Sequence, residues 1–148
     1  MWVEWALQHP MSRSTLEKRL ADMRQQFAAG EDWTFGIFDI HGTRVLGGAG
    51  LHPRGTTDRV ELGYWLRTDS TGRGFAFEAA HALCAAAFGH SDVARIDILC
   101  DVENRRSAAI PRRLGFSVTE GFRQGVVTSR ATSRDTQRWT LLRSEFRA

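Results

Sequence analysis

Apolar residues along this chain recur with two different periods, and the alternation between them outlines the fold. In residues 15–28, Leu16, Leu20, Met23 and Phe27 recur three or four apart, the spacing of one helix face. Ser14-Thr15-Leu16-Glu17 at its start has the S-x-x-E form of a capping box, in which a hydroxyl and a carboxylate satisfy the first free amides of a helix. Gly30 closes the segment. Residues 33–40 alternate instead, as a strand does, and His41-Gly42 turns the chain into a second strand over residues 45–51. After a polar loop, residues 60–66 form a third strand, closed by Thr68-Asp69-Ser70. Residues 74–90 carry Phe75, Ala79, Leu83, Ala86 and Ala87 with hardly a β-branched residue, the make-up of a well-packed helix.

Residues 94–100 read as a strand whose apolar side chains alternate with Arg95 and Asp97. Asn104 can cap a short helix ending at Leu114-Gly115, where Gly115 supplies a left-handed residue. Pro111 inside it removes one helical hydrogen bond and predicts a kink or a very short helix. Strands over residues 116–127 and 135–142 finish the chain, joined by a polar loop at 128–134. The order of elements implies a mixed α/β sheet flanked by helices, in one domain spanning residues 1–148, because no repeat or linker divides it.

Composition narrows the chemistry by exclusion. No apolar run approaches the roughly 20 residues that cross a bilayer, so no membrane span is expected. Residues 1–10 contain Glu4, Gln8 and His9 and lack a basic start before an apolar stretch; a secretory signal is not indicated and the cytoplasm is the expected compartment. Cys84 and Cys100 have neither a disulfide-framework nor a zinc-site spacing, and the five histidines show no H-E-x-x-H pattern, so no metal is expected. Nearly all the cationic residues are Arg, yet the net charge is only +3. That excess suits a phosphate-bearing small molecule, and nucleic acid is not the expected partner.

The informative stretch is Ser70-Thr71-Gly72-Arg73-Gly74-Phe75-Ala76-Phe77-Glu78-Ala79-Ala80, between a strand and the long helix. Gly72 and Gly74 let the backbone turn tightly, which leaves amide N–H groups at the positive end of the helix dipole, where a pyrophosphate fits. The Walker pattern is absent, and the third glycine of the dinucleotide fingerprint is replaced by Phe77.

Together with Glu61-Leu62-Gly63-Tyr64-Trp65 before it, this stretch resembles the acetyl-CoA signature [QR]-x-x-G-x-[GA] of the RimJ/RimL group in the GNAT superfamily of N-acetyltransferases. Gly74 and Ala76 occupy the last two fixed positions, and Thr71 stands where Gln or Arg is usual. Asn104-Arg105-Arg106-Ser107 through Leu114-Gly115-Phe116 is similar to the group's N-x-x-S…L-G-F segment. The resemblance covers residues 33–139. It implies a GNAT-like, mainly antiparallel twisted sheet with helices on both faces, although the strand and helix with which relatives begin would precede Met1. With that edge uncovered, residues 33–40 could pair with a second copy in a homodimer.

The resemblance also implies roles. Acetyl-CoA would be the co-substrate, with Thr71, Gly72, Arg73, Gly74, Phe75, Ala76 and Asn104 as its contacts and the backbone near Leu66 polarising the thioester carbonyl. Glu61 is the candidate base, lying on the strand that splays in relatives, and Ser107 the candidate acid toward the departing thiolate. Glu61 can equally be a solvated strand carboxylate, and Asn104 with Ser107 can equally be a helix cap. Trp33, Phe35 and Trp65 are candidates for the acceptor pocket or for ordinary packing. The expected acceptor is a primary amine: a protein N-terminus, a small amine or an amine-bearing antibiotic. A CoA-binding regulatory module without turnover is the alternative.

Overall fold

The computed structural model describes residues 11–90, 92–127 and 133–147. The expectation for residues 1–10, and most of the expected loop at 128–134, lie outside the described residues. Six strands form one sheet in the order β1-β2-β3-β4-β6-β5, from β1 (Trp33–Phe38), β2 (Val45–Pro53), β3 (Arg59–Leu66), β4 (Arg95–Asp101), β5 (Ser117–Val127) and β6 (Ser133–Leu142). Only β3 and β4 run parallel; every other pairing is antiparallel. A parallel pair needs a crossover, and α2 (Phe75–Gly89) supplies it. α1 (Arg13–Ala29) precedes the sheet and α3 (Arg105–Arg113) links β4 to β5. Among the described residues no helix is long and apolar enough to cross a membrane.

One face of the sheet is buried beneath α2. Leu51, Leu62, Ile96, Ile98 and Leu141 meet Ala80, Cys84, Ala87 and Phe88 there, with Ala108, Ile110 and Leu114 packed alongside. The buried stripe of α2 runs through positions 76, 80, 83, 84, 87 and 88, so Ala86 of the expected face is exposed. That helix is apolar almost all round, and its alternating small residues do not by themselves choose which side meets the sheet.

Two local expectations are corrected. Ser12, not Ser14, caps α1, accepting the Thr15 N–H at 3.1 Å. Glu17 is therefore two residues past the reciprocal position, Thr15, and it bonds Arg13 at 2.8 Å instead of closing a capping box. The helix also buries no residue; Leu20 stays 59% exposed and Phe27 meets the sheet through an edge-on contact with Phe35. β1 stops at Phe38, short of Ile40, because the Asp39 carboxylate accepts the N–H groups of Thr43 and Arg44 and so builds the turn. Those bonds, with Arg44's first, hold the Asp39 carboxyl below its usual range.

Asp97, expected on the polar side of β4, does face away from α2 but is fully buried. Arg59 Nε from β3 and Arg95 Nε from β4 each stand 2.8 Å from its oxygens, and Thr140 of β6 donates to it at 2.7 Å. Arg138 Nε of β6 brings a third guanidinium to within 3.9 Å of the same carboxylate. Removing one partner of such a cluster strands a buried charge, which typically costs 3–5 kcal/mol. The cluster clamps β3, β4 and β6 together at one end of the sheet.

Burial alone raises the Cys84 thiol from 9.0 to about 12. A thiol harder to ionise in the native state gives stability that is complete below pH 9 and is lost as the pH climbs through 12. The denaturation midpoint should fall across that alkaline window in wild type and fall less in Cys84→Ala. At pH 8, a thiol reagent should label Cys84 only on unfolding.

Candidate functional site

Pairing between β3 and β4 covers Arg59↔Arg95, Val60↔Ile96 and Glu61↔Asp97, and then ends. Both strands continue, β3 to Leu66 and β4 to Asp101, so the sheet opens between them beyond Glu61. The Asp97 clamp lies at the last paired position, which places the closed and open halves of the sheet back to back. Arg67 N–H bonds the Leu46 carbonyl, which fixes the alternation: odd residues of β3 spend their backbone groups on β2. The N–H and C=O of Tyr64 and Leu66 therefore face the opening. Leu66 stands where a backbone donor to a carbonyl was expected.

The glycine turn lies at the same end. Gly72 (φ 76°) and Gly74 (φ 89°) both take the left-handed conformation that a side chain disfavours, and no side chain caps α2. Thr71, Gly72, Arg73 and Gly74 are exposed, Phe75 is half-buried and Ala76 is buried beneath them. The first amides of any helix have no partner within it, and here the cap residue offers none. Thr71 turns its hydroxyl back onto the Thr68 carbonyl at 2.9 Å, so its side chain is committed to the turn. The guanidinium of Arg73 lies over Phe75, and that of Arg113 from α3 lies 4.0 Å from the centre of the Phe77 ring, bringing a second cation beside the first turn of α2.

α3 spans the opening from β4's side. Asn104 Oδ1 accepts the Ser107 N–H at 3.1 Å, the helix-cap geometry. Pro111 lies four residues past Ser107 and has no N–H, so the Ser107 carbonyl loses its helical donor. Tyr64 replaces it: its hydroxyl donates to the Ser107 carbonyl at 2.9 Å and accepts from Ser107 Oγ at 3.3 Å. Tyr64 thus ties β3 to α3 across the opening. Burial, opposed by its bond to Ser107, pushes the phenol up to about 12, so it stays protonated at neutral pH. The nine-residue helix accommodates Pro111 as a buried residue, and Gly115 (φ 83°) follows it in the expected left-handed conformation.

The face of β1–β3 away from α2 is a floor of glycines: Gly36, Gly48, Gly50 and Gly63 are register neighbours. Rings lie across them. A Cβ on Gly48 would stand 2.6 Å from Trp65 Nε1, and one on Gly50 would stand 2.9 Å from the His52 ring. Glu61 shares this face as the register partner of His52, and both its oxygens are engaged by Arg54, at 3.0 and 3.3 Å. Trp33 and Phe35 pair with Leu51 and Ala49, which point into the core, so they lie on the opposite face from Trp65. The structure therefore brings Glu61 and Trp65 to one side of the opening, Ser107 and Asn104 to the other, and leaves Trp33 and Phe35 apart from both.

Two site residues escaped sequence reasoning. Tyr64 sat inside a quoted motif, but only the loss of the Pro111 N–H shows why a hydroxyl is needed there. His52 bonds Asp32 through Nδ1 at 2.6 Å, a contact between residues twenty apart that no local spacing announces.

The site is thus a sheet opened beside a parallel crossover, with an uncapped helix start at the same end, as the resemblance to acyl-CoA transferases led one to expect. Family comparison agrees: residues 1–117 match the acetyltransferase (GNAT) domain, and the chain belongs to that family of acyl-CoA N-acyltransferases. It is 28% identical over 147 residues to the "Putative ribosomal N-acetyltransferase YdaF" of Bacillus subtilis (strain 168), covering 98% of this chain and 78% of that protein. Among solved structures, the RimL ribosomal L7/L12 alpha-N-protein acetyltransferase in complex with coenzyme A superposes with a TM-score of 0.84 at 21% identity, over 95% of this chain and 78% of that one. The microcin C7 self-immunity acetyltransferase MccE, in complex with acetyl-CoA and AMP, superposes at 0.83 and 20% identity, over 95% and 77%. At such identities the last two speak for the fold.

Tyr64→Phe should cost about 1 kcal/mol in urea denaturation, because it orphans a part-buried carbonyl that Pro111 cannot serve. In a Pro111→Ala background the helix regains its own donor, and the same substitution should cost markedly less; equal costs would refute the coupling.

Proposed function

We propose that the protein moves an acetyl group from acetyl-CoA directly to a primary amine, with a protein or peptide N-terminus as the acceptor. The observation that carries this reading is the coincidence, at one end of the sheet, of the β3–β4 opening with the uncapped start of α2. A pantetheine-like arm can extend β3 as an added strand, bonding the backbone groups of Tyr64 and Leu66 that face the opening. Its pyrophosphate would rest on the amides of residues 72–76, with Arg73 adding charge. The residues present fit that ligand: no side chain caps the first amides of α2, and a Cβ on Gly72 would meet nothing within 4 Å, while Glu78 Oε1, 3.5 Å from a Cβ on Gly74, would have to swing aside.

Acetyl transfer needs the amine nitrogen at the carbonyl carbon, a donor to the developing oxyanion, and a proton for the departing thiolate. The Leu66 amide is the donor we assign. Ser107 is the acid, backed by the Tyr64 phenol, whose proton burial retains at neutral pH. Asn104 holds Ser107 by capping its helix and has no further part in this scheme. Glu61 places negative potential on the acceptor side, where an ammonium group would approach, with Arg54 setting its orientation. Trp65 forms the wall of the acceptor pocket across Gly48. The peptide acceptor is supported by the names of the relatives, a ribosomal N-acetyltransferase and an L7/L12 alpha-N-protein acetyltransferase.

Free thiol release from acetyl-CoA, measured against unblocked peptides, polyamines and aminoglycosides, tests the reading. Release with peptides and not with their N-acetylated forms is expected; release with none of the amines contradicts it. Acetyl-CoA at 100 times its dissociation constant should stabilise the fold by about 2.7 kcal/mol. Gly74→Asp, which sets a carboxylate against the phosphates and strains the backbone, should abolish that shift; an unchanged shift in a folded variant places the cofactor elsewhere. Ser107→Ala should lower kcat more than it weakens acetyl-CoA binding.

A further inference from the structure

We infer that His52, oriented by Asp32, is the group that takes the proton from the acceptor amine; this rests on the acetyl-transfer reading above. Asp32 Oδ2 stands 2.6 Å from His52 Nδ1, and Thr34 Oγ1 donates to the other carboxylate oxygen at 3.0 Å. A carboxylate can only accept, so Nδ1 carries a ring proton, and in the neutral ring Nε2 presents its lone pair. Nε2 has no hydrogen-bond partner among the described residues. It is the arrangement of a base and its orienting acid, built between β2 and the link that precedes β1.

Its location suits the reaction. The ring lies over two glycines: a Cβ on Gly50 would be 3.0 Å from Nε2, and one on Gly63 3.5 Å. Gly63 is two residues beyond the last β3–β4 pair, so Nε2 lies over the β2–β3 pair, level with the start of the opening. The groups that share this surroundings are Asp32 and Thr34 from the β1 side and the Glu61–Arg54 pair from the β3 side. Glu61, the base expected from sequence, already receives two N–H donors from Arg54, whereas the lone pair of Nε2 is uncommitted. In the step assigned here, the amine nitrogen forms a bond to the acyl carbon and the carbon–sulfur bond breaks, its electron pair staying on sulfur. The amine proton passes to Nε2, giving an imidazolium paired with Asp32, and then leaves to solvent. Sulfur is protonated from the Ser107–Tyr64 side, which solvent recharges, so His52 needs no contact with the leaving group.

The test uses the full chain with the acceptor that turns over best in the amine series. His52→Gln is expected to lower kcat by about 10²–10⁴-fold and to remove the acid limb of the kcat/KM profile, with the acetyl-CoA shift in thermal midpoint kept. Asp32→Asn should lower kcat less, and should add nothing in the His52→Gln background, because it acts through the ring. Glu61→Gln should raise KM for the amine and leave the acid limb in place. Retention by His52→Gln of more than half the wild-type kcat with an unaltered profile overturns the assignment, as does additivity with Asp32→Asn or loss of the acid limb in Glu61→Gln. If no amine is acetylated while acetyl-CoA still binds, it is the transfer reading that has failed. Nitrogen-15 spectra of the ring then decide His52 by themselves: the Nδ1-protonated tautomer upholds the arrangement, and the Nε2-protonated tautomer overturns it.

Discussion

The Ser107 carbonyl, deprived of its helical donor by Pro111 and capped by the Tyr64 hydroxyl, is the contact on which the geometry of the cleft depends. An opened sheet exposes backbone groups and loses ladder bonds, so something must hold the two strands at a fixed separation. A direct strand-to-strand bond would close the gap, whereas a side chain from β3 reaching a helix beyond β4 spans it. Asp97 supplies the opposing constraint. Its ion pairs with Arg59 and Arg95 and its bond from Thr140 keep the lower half of the same strands together. Beyond the Asp97 clamp, from Tyr64 to Leu66, lies the short length of β3 whose backbone groups face the opening.

The two sides of the sheet then divide the labour. Beneath α2, ordinary apolar packing of Leu62, Ile96, Ile98 and Leu141 makes the platform rigid. On the other face, glycines replace side chains so that the Trp65 and His52 rings can lie flat beside the opening. The glycines of β2 make that room, and those before α2 serve another end, the tight turn into the helix through positive φ at Gly72 and Gly74.

Much of this was legible in the sequence. Period, cap residues and turn residues together located the six strands and three α-helices of the described residues to within a few residues, and the glycine turn was expected where the structure has it, before the alanine-rich helix. What the structure adds or alters has identifiable physical reasons. The capping box at Ser14 lost to Ser12, because two hydroxyls in one turn compete for the same amides and only backbone geometry decides. Trp33, Phe35 and Trp65 looked equivalent as aromatics, but alternation puts the first two on the face toward α2, where Trp33 packs against the core and Phe35 stays exposed, and puts Trp65 on the other face. His52 and Asp32 meet only because β1 and β2 pair as a hairpin, and the commitment of Glu61 to Arg54 is likewise a tertiary fact. Long-range pairings set which chemically capable side chain is left uncommitted, and local patterns do not carry them.

The central claim is that the opening beside β3 receives the acyl donor as an added strand and the turn before α2 receives its phosphates. Backbone amide hydrogen exchange, followed residue by residue with and without acetyl-CoA, tests it most directly. The account predicts new protection at Tyr64, Leu66 and residues 72–76 on adding acetyl-CoA, with β1 unchanged. Saturating acetyl-CoA that leaves those amides exchanging as before, or protects a different surface, would contradict it.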